Sequence, residues 1–587
     1  MKLFWDLRWF FLKEKKAYIW GVFLLLMVAY LQTIPPKIIG STVDHIKDGT
    51  LTIKMLLQWI GLLIAVALVM YGLRYFWRIM IFGSSVKLAK QLRIRLYSHF
   101  TNMSPSFYQR RRIGDLMAHA TNDLQAIQQT AGAGVLTLVD SLATGGFVIV
   151  AMLLIDWKLT IISLIPMPLM AYLTSYYGSI LHKRFHKAQE AFSDLNDKTQ
   201  ESINGIKVIK TFGQELEDIQ SFAEQSKIVV DKNMEVAKID ALFDPTISII
   251  VGISYFLSIA FGSKLVLDDQ LSIGELVAFS TYLGLLIWPM LAFGWLFNIV
   301  ERGRASYDRV MTLLKEEIDI KEKDHAITEP PRGSIEYSIE TFTYSTEEKP
   351  VLHNIYFTLH SGETLGLVGK TGSGKTTLLK LLLREYEGYE GTIKFGGHSI
   401  TDYTLHALRS SIGYVPQDHF LFSATIAENI SFTNVDAKIE EIERVSKLAN
   451  IHNEILQFPD GYKTLVGERG VSLSGGQKQR ISIARALLLD SELLILDDSL
   501  SAVDAKTEKD ILQGLKENRT NKTTIITSHR LSAIKHANKI LVLDEGTIIQ
   551  EGTHEELMKE DGWYRDVYMQ QQLEELVEGS VKSSMKN

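Results

Sequence analysis

Residues 369–376 read Gly-Lys-Thr-Gly-Ser-Gly-Lys-Thr. Glycine, four residues, then Gly-Lys-Thr is a spacing that suits the cradling of a phosphate chain. Glycines let backbone N–H groups close around phosphate oxygens, and the helix they introduce offers its positive end to an anion. The flanks supply that setting: Thr364-Leu-Gly-Leu-Val reads as a buried strand, and Thr377-Leu-Leu-Lys-Leu-Leu-Leu as a helix. Gly369, Lys370, Thr371, Gly372, Ser373, Gly374, Lys375, Thr376 and Thr377 are therefore the expected nucleotide-binding set. Within it Lys375 is placed to meet the β- and γ-phosphates as a point charge, and Thr376 to ligate Mg²⁺.

Two further stretches extend that chemistry. Leu493-Leu-Ile-Leu-Asp497 is an apolar strand ending in a carboxylate, which suits a second group directed at Mg²⁺. Leu473, Ser474, Gly475, Gly476 and Gln477 open a helical run, Lys478-Gln-Arg-Ile-Ser-Ile-Ala-Arg-Ala-Leu, so their backbone amides form a second anion site. One phosphate loop already wraps one side of a nucleotide. The second site is most useful to a nucleotide held by another subunit.

In this order the phosphate loop, Leu-Ser-Gly-Gly-Gln and strand-Asp resemble the ATPase domain of ABC transporters. The resemblance implies a role for each matching residue. Tyr344 stands where the family stacks an aromatic on adenine. Gln417, in Tyr414-Val-Pro-Gln, takes the Q-loop position and is counted both with the Mg²⁺ ligands and with the catalytic residues. Asp504, in Ser501-Ala-Val-Asp, resembles the D-loop, and His529, in Thr527-Ser-His-Arg-Leu, the switch histidine. Residues 464–470, Thr-Leu-Val-Gly-Glu-Arg-Gly, resemble the segment by which exporters contact a partner's cytoplasmic loops.

The departure from the family is at Asp498, where the catalytic carboxylate is normally Glu. A general base must sit within hydrogen-bond reach of the attacking water. Asp is one methylene shorter, a shortfall of roughly 1 Å that costs on the order of 100-fold in rate. ABC ATPases pair head to tail, so an intact signature beside a weakened base resembles the degenerate-site half of a heterodimeric multidrug exporter. That implies a partner half-transporter carrying the Glu, with ATP and Mg²⁺ as cofactors and hydrophobic or cationic small molecules as substrates.

The elements that hold these residues fall into two regions. A chain of 587 residues exceeds one ordinary core. Its net charge of −6, without a long basic run, gives nucleic acid no footing, and the absence of cysteine removes disulfides, thiolate metal sites and a Cys nucleophile. Residues 1–16 mix aromatic and basic side chains at helical spacing, as an interfacial elbow helix does. Residues 17–314 carry six apolar runs, 17–36, 55–73, 131–155, 159–181, 245–266 and 273–300, each long enough for a span. Arg74, Arg78, Lys87, Lys90, Arg93, Arg95 and Arg110 to Arg112 crowd the loop after the second run, which places that loop and both termini in the cytoplasm. A multi-pass protein of a bacterial plasma membrane, embedded in the lipid bilayer, follows.

The two inside loops, 74–130 and 182–244, keep helical periodicity, so each span is expected to continue into the cytoplasm and turn back, near 106–116 and 206–215. Such loops need a docking partner. Residues 315–331 form a charged linker, 332–575 an α/β nucleotide-binding domain, and 576–587 a disordered tail.

Asp140, in the third run, is the one acid expected deep in the bilayer, where a charge normally faces a cavity or a partner. It is a candidate lure for cationic amphiphiles, or a structural hydrogen-bonding group. Trp288-Pro289, Phe293 and Trp295 of the sixth run are candidate cavity walls or packing residues. The expected fold is thus an α-helical polytopic membrane domain with long cytoplasmic helical loops, followed by an α/β P-loop ABC ATPase domain. The expected function is ATP-driven multidrug efflux. The rivals are a homodimeric lipid or peptide exporter and an ATP-gated channel; six spans exclude a DNA-acting ABC ATPase.

Overall fold

The computed structural model describes residues 2–345, 347–467 and 473–584. It resolves into two compact units, Met1–Thr101 with Ile113–Glu316, and Asn102–Arg112 with Glu317–Asn587. The first holds six helices long and apolar enough to cross a membrane: Lys15–Lys47, Ile53–Thr101, Ile113–Ile155, Trp157–Asn204, Glu215–Leu267 and Ile273–Leu314. Ile53–Thr101 alone has 49 residues, about 74 Å at 1.5 Å per residue. A bilayer core is about 30 Å thick. The excess is an extension beyond the membrane, as the periodicity implies.

Chemistry along the chain sets the breaks in these helices. The N-terminal stretch is not one elbow helix but two, Lys2–Asp6 and Arg8–Lys13, and Leu3, Leu7 and Phe10, which share a face at helical spacing, are buried. Lys15–Leu31 gives way at Gln32-Thr33 to Ile34–Lys47, whose first turn carries Pro35 and Pro36, where a missing N–H costs nothing. The first apolar helix therefore runs well past residue 36. The turn of the second long loop is a helix, Ile206–Phe212, closed by Gly213 in the left-handed region at φ +65°. The N-terminal end of the last span is tied to the first by contact: a Cβ on Gly274 would lie 2.0 Å from the Gly40 carbonyl. Asp44 accepts hydrogen bonds there from the Gly274 amide (2.7 Å) and the Ser272 hydroxyl (2.6 Å), an anion at a helix N-terminus. Pro289 interrupts the interior of Ile273–Leu314. The side chain of Phe293 lies outside the described ones.

The second unit contains two sheets. Strands β1 (Ile335–Phe342), β2 (Leu352–Leu359), β3 (Thr364–Gly369), β4 (Glu390–Phe395), β5 (His398–Ser399), β6 (Ile412–Val415), β7 (Leu493–Asp497), β8 (Thr523–Thr527), β9 (Lys539–Asp544) and β10 (Thr547–Gly552) follow in chain order. One sheet is antiparallel in the order β2-β1-β4-β5; the other runs β10-β9-β3-β8-β7-β6 and is parallel except for β10. Side-chain alternation along the parallel strands sorts residues into two cores. Leu365, Leu367, Leu493, Ile495 and Leu541 join β1, β2, β4 and the helix Lys375–Leu382 on one face. Val368, Leu494, Leu496, Ile526 and Val542 join the helices Ile439–Leu448, Gly475–Leu488 and Ala505–Asn518 on the other. Parallel strands buried on both faces put their polar groups at their C-terminal ends, where ligands of such sheets bind.

Two segments, the charged linker and the C-terminal tail, carry more structure than their reading in the sequence, and the loop tip near 106–116 finds its docking surface. The tip of the first long loop, Asn102–Arg112, belongs to the second unit, where Asp319 accepts hydrogen bonds from Ser104 (2.6 Å) and Ser106 (2.7 Å). The charged stretch after residue 315 is no free spacer. Its Lys323 pairs with Asp402 at 2.6 Å, its Glu322 accepts from the Leu405 amide, and its Lys321 carbonyl accepts from the fully buried Arg384. The other difference lies at the C-terminus, where the helix Trp563–Ser584 continues through most of the segment read as a disordered tail. Gln, Leu, Glu and Val predominate at 570–577, and these favour or tolerate helix.

Candidate nucleotide site

The parallel sheet's register brings the predicted groups together. Leu367 of β3 lies beside Thr527 of β8, and Thr527 beside Asp497 of β7. The phosphate loop, leaving β3, and the carboxylate ending β7 thus flank one strand end. Between them lies a cleft of about 800 Å³, lined by Tyr344, Thr371 to Thr377, Gln417, Asp497, Asp498 and His529.

The loop's glycines have distinct tasks. Gly369, at φ +147°, passes so close to β9 that a Cβ would lie 2.0 Å from the Leu543 carbonyl. Gly372, at φ +83°, has no atom within 4 Å of where a Cβ would be, so its backbone faces open space. The Lys375 ammonium is folded onto its own loop, donating to the carbonyls of Gly369 (2.9 Å) and Lys370 (2.8 Å). Burial lowers its pKa, an effect opposed by the charges of Asp498 and Asp497. The Lys370 side chain instead reaches Asp544 at 3.4 Å, and neither it nor Gly369 is part of the cleft lining.

Asp497 is buried and held from three sides. Thr527 donates to it at 2.7 Å, Tyr414 at 3.2 Å and Thr376 at 3.3 Å. Tyr414 stays a donor because burial, with the charges of Asp497 and Glu385, holds its phenol well above the usual range. Thr376, Asp497 and Gln417 present a hydroxyl, a carboxylate and an amide to the same cleft, a hard-oxygen donor set that suits Mg²⁺.

Asp498 adopts the left-handed region at φ +46°, which its short polar side chain tolerates. Its amide donates to the Thr527 hydroxyl at 2.8 Å. Burial and the neighbouring Asp497 raise its carboxyl pKa, against the lowering effects of His529 and Lys375. Tyr344 edges onto Phe342 and Tyr386 and donates from its hydroxyl to Thr377 at 2.9 Å.

The signature stands apart from this cleft. Ser474 caps the helix Gly475–Leu488 in a reciprocal box with Gln477. Gln477 also donates to Glu454 at 3.0 Å, and Glu454 is gripped by both terminal nitrogens of Arg480. Leu473 is buried, Ser474 and Gly475 are exposed, and none of the five residues lines the cleft. Asp504 caps the helix Ala505–Asn518 through the amides of Lys506 and Thr507, and its pKa is lowered first by the bond it accepts from the Thr507 hydroxyl and then by the Thr507 amide. Residues 468–470 of the segment compared with the exporters' partner contact lie outside the described residues.

Sequence reasoning missed three supporting groups, Thr527, Tyr414 and Glu454. Thr527 ends an apolar strand just before Ser-His, and Tyr414 opens the run that ends in Gln417, so their adjacency to motif residues was the available signal. Glu454 carries no local signal, because the fold alone brings it to Arg480.

Comparison with known proteins agrees with this geometry. The family model "ABC transporter transmembrane region" matches residues 18–290, and "ABC transporter" matches 352–501. The chain is 48% identical over 577 residues to the "Multidrug resistance-like ATP-binding protein MdlA" of Escherichia coli, covering 98% of this chain and 97% of that protein. It is 47% identical to the "Probable multidrug resistance ABC transporter ATP-binding/permease protein YheI" of Bacillus subtilis, covering 98% of each. Among solved structures, that of a bacterial Atm1-family ABC exporter with ATP bound matches with a TM-score of 0.79 and 25% identity, over 95% of this chain and 99% of that one.

Proposed function

The chain belongs to the ABC transporter family, membrane region and ATPase domain in one polypeptide, and on that premise we propose that it is one half of a heterodimeric exporter of hydrophobic and amphiphilic compounds. As an ABC transporter it is a multi-pass membrane protein that couples ATP hydrolysis to export, with ATP and Mg²⁺ as cofactors. The names of two relatives, which speak of multidrug resistance, support the substrate class. The Lys- and Arg-rich loop supports cytoplasmic termini.

One observation carries the heterodimer: Asp498 stands in the base position of a chain whose signature, Leu473 to Gln477, is complete and rigidly held. In the cleft, an arriving triphosphate offers Lys375 stronger acceptors than the two carbonyls it now contacts. Thr371 to Gly374 supply backbone amides to the phosphates, Tyr344 a ring for the base, and Thr376, Asp497 and Gln417 oxygens for Mg²⁺. Bound Mg²⁺ would neutralise developing phosphate charge. Asp498 must then take a proton from the attacking water, with His529 beside it in the lining. A carboxylate roughly 1 Å short does so slowly. This chain's signature amides instead serve the partner's nucleotide, where a Glu performs the fast hydrolysis. Binding of both nucleotides closes the ATPase pair, and hydrolysis chiefly at the partner's site reopens it.

The test is ATP turnover by the purified chain in lipid, alone and with a co-expressed Glu-bearing half. Slow turnover alone, and fast turnover that depends on the partner's Glu, is the expected result. A stable dimer of this chain turning over at about 10 s⁻¹ would instead make it a homodimeric exporter with Asp498 a competent base.

A further inference from the structure

The membrane unit contains a cavity of about 460 Å³ among its span helices. Helix Ile53–Thr101 contributes Arg74, Trp77 and Arg78; the third span contributes Asp140 and Thr144; the last span contributes Trp288 and Trp295. Arg74 and Arg78 are one turn apart on one helix face. Among the described residues, neither guanidinium has an ion pair within 4.0 Å, and Arg78 has only the ring of Trp77, at 5.6 Å. Asp140 accepts one hydrogen bond, from Thr144 at 3.3 Å. The indole N–H of Trp77, 5% exposed as a residue, is buried away from the cavity and has no acceptor among the described residues.

Two exposed guanidinia thus line one cavity beside one carboxylate, with which Arg74 interacts electrostatically. The charges sum to a positive lining. We propose that this cavity recognises amphiphiles whose headgroup is acidic and carries an adjacent donor, such as a phosphate ester next to an ammonium or hydroxyl. The acid lies between the Arg74 and Arg78 guanidinia, whose planar forks match phosphate oxygens. Asp140 receives the adjacent donor, and the apolar chain lies against Trp288 and Trp295, which are 65% and 54% exposed. Asp140, a candidate lure for simple cations on sequence alone, shares its cavity with two guanidinia, so a lone cation meets net repulsion.

Depth supports the same class. From Ile53, where its helix starts, Arg74 is 21 residues along, about 32 Å, close to the thickness of a bilayer core. The arginines therefore stand at headgroup level of the inner leaflet, where an acidic amphiphile carries its own charge.

This inference rests on the exporter reading, and the experiment separates the two. The complex with the partner half is placed in proteoliposomes, and ATP-dependent movement of three probes is measured: a fluorescent lysophosphatidylethanolamine added free, a fluorescent phosphatidylethanolamine built into the bilayer, and the cation rhodamine 6G. Arg74→Gln/Arg78→Gln should raise the half-maximal concentration of the phosphate probes at least tenfold relative to that of rhodamine, and Arg74→Lys/Arg78→Lys should recover part of the loss. Response of the free probe alone marks a soluble amphiphile as the ligand; response of the built-in probe marks a lipid headgroup. Equal effects of the Gln pair on phosphate and cationic probes would overturn the inference while leaving export intact. ATP hydrolysis without movement of any probe by the unaltered complex would overturn the exporter reading and this inference with it.

Discussion

Two aspartates, Asp497 in the nucleotide cleft and Asp140 in the membrane cavity, occupy opposite kinds of site. Asp497 ends a strand buried along its whole length and accepts three hydrogen bonds, from residues on the phosphate-loop helix, β6 and β8. Asp140 accepts one, from its own helix. The first site is arranged before its ligand arrives, and such preorganisation stabilises charge at a defined point. The second lines its space with two exposed guanidinia, so the ligand supplies their partners. A cleft that performs one reaction needs the former; a cavity that takes many molecules is served by the latter.

If that contrast holds, substitutions in the cleft cause large and uniform losses, whereas those in the cavity shift preference. The largest effect is expected from Lys375→Ala, which removes the charged donor to the phosphates and should weaken ATP binding by about 100-fold or more, near 3 kcal/mol. Fluorescent-nucleotide titration measures it, and unchanged affinity would mean that the cleft is not the nucleotide site. Next is Asp498→Glu, which restores the missing methylene and should speed single-turnover hydrolysis in this chain's own cleft about 100-fold.

The same residue sets a pH dependence. A base works only when deprotonated, and burial with Asp497 raises the Asp498 pKa. The rate at this cleft should therefore begin to fall, as pH is lowered, at a higher pH than an ordinary aspartate would give. Asp498→Asn should abolish that limb, which a pH series of single turnovers would reveal.

A smaller effect is expected from Tyr414→Phe, which removes one of the three bonds to Asp497 at a cost of about 1 kcal/mol, or about fivefold. It should appear as a higher Mg²⁺ requirement in steady-state ATPase assays. The smallest belongs to the cavity. Asp140→Asn leaves the arginines unopposed and should change the ratio of phosphate-probe to cation-probe transport by only about two- to threefold, in favour of acids that lack an adjacent donor. A total loss of transport would mean that Asp140 is as tightly arranged a group as Asp497.

The phosphate loop was legible because its function resides in one contiguous stretch: a strand, glycines that must bend, and a helix start. Asp497 was legible because an apolar run that ends in a carboxylate marks the end of a buried strand. The reciprocal cap of Ser474 and Gln477 lies within four residues and follows from the same local logic. Less legible were features that depend on partners far along the chain. The run of charge after residue 315 looks solvated, yet Asp319 and Lys323 find partners on other segments of the second unit. The break at Leu7 in the N-terminal helix is marked by no turn residue in the sequence.

Sequence by itself determined which segments are apolar enough to span a membrane, which loop carries the phosphate-cradling pattern and which position holds Asp where the family normally has Glu, because each is a property of a short run or of a single side chain. Tertiary structure alone decided that Thr527 would hold Asp497, since that depends on the parallel register of β7 and β8. It also decided that Arg74, Arg78 and Asp140 would share one cavity, because the helices that carry them are distant in sequence. A charge's neighbours across such distances are set by packing, and packing sums over the whole chain.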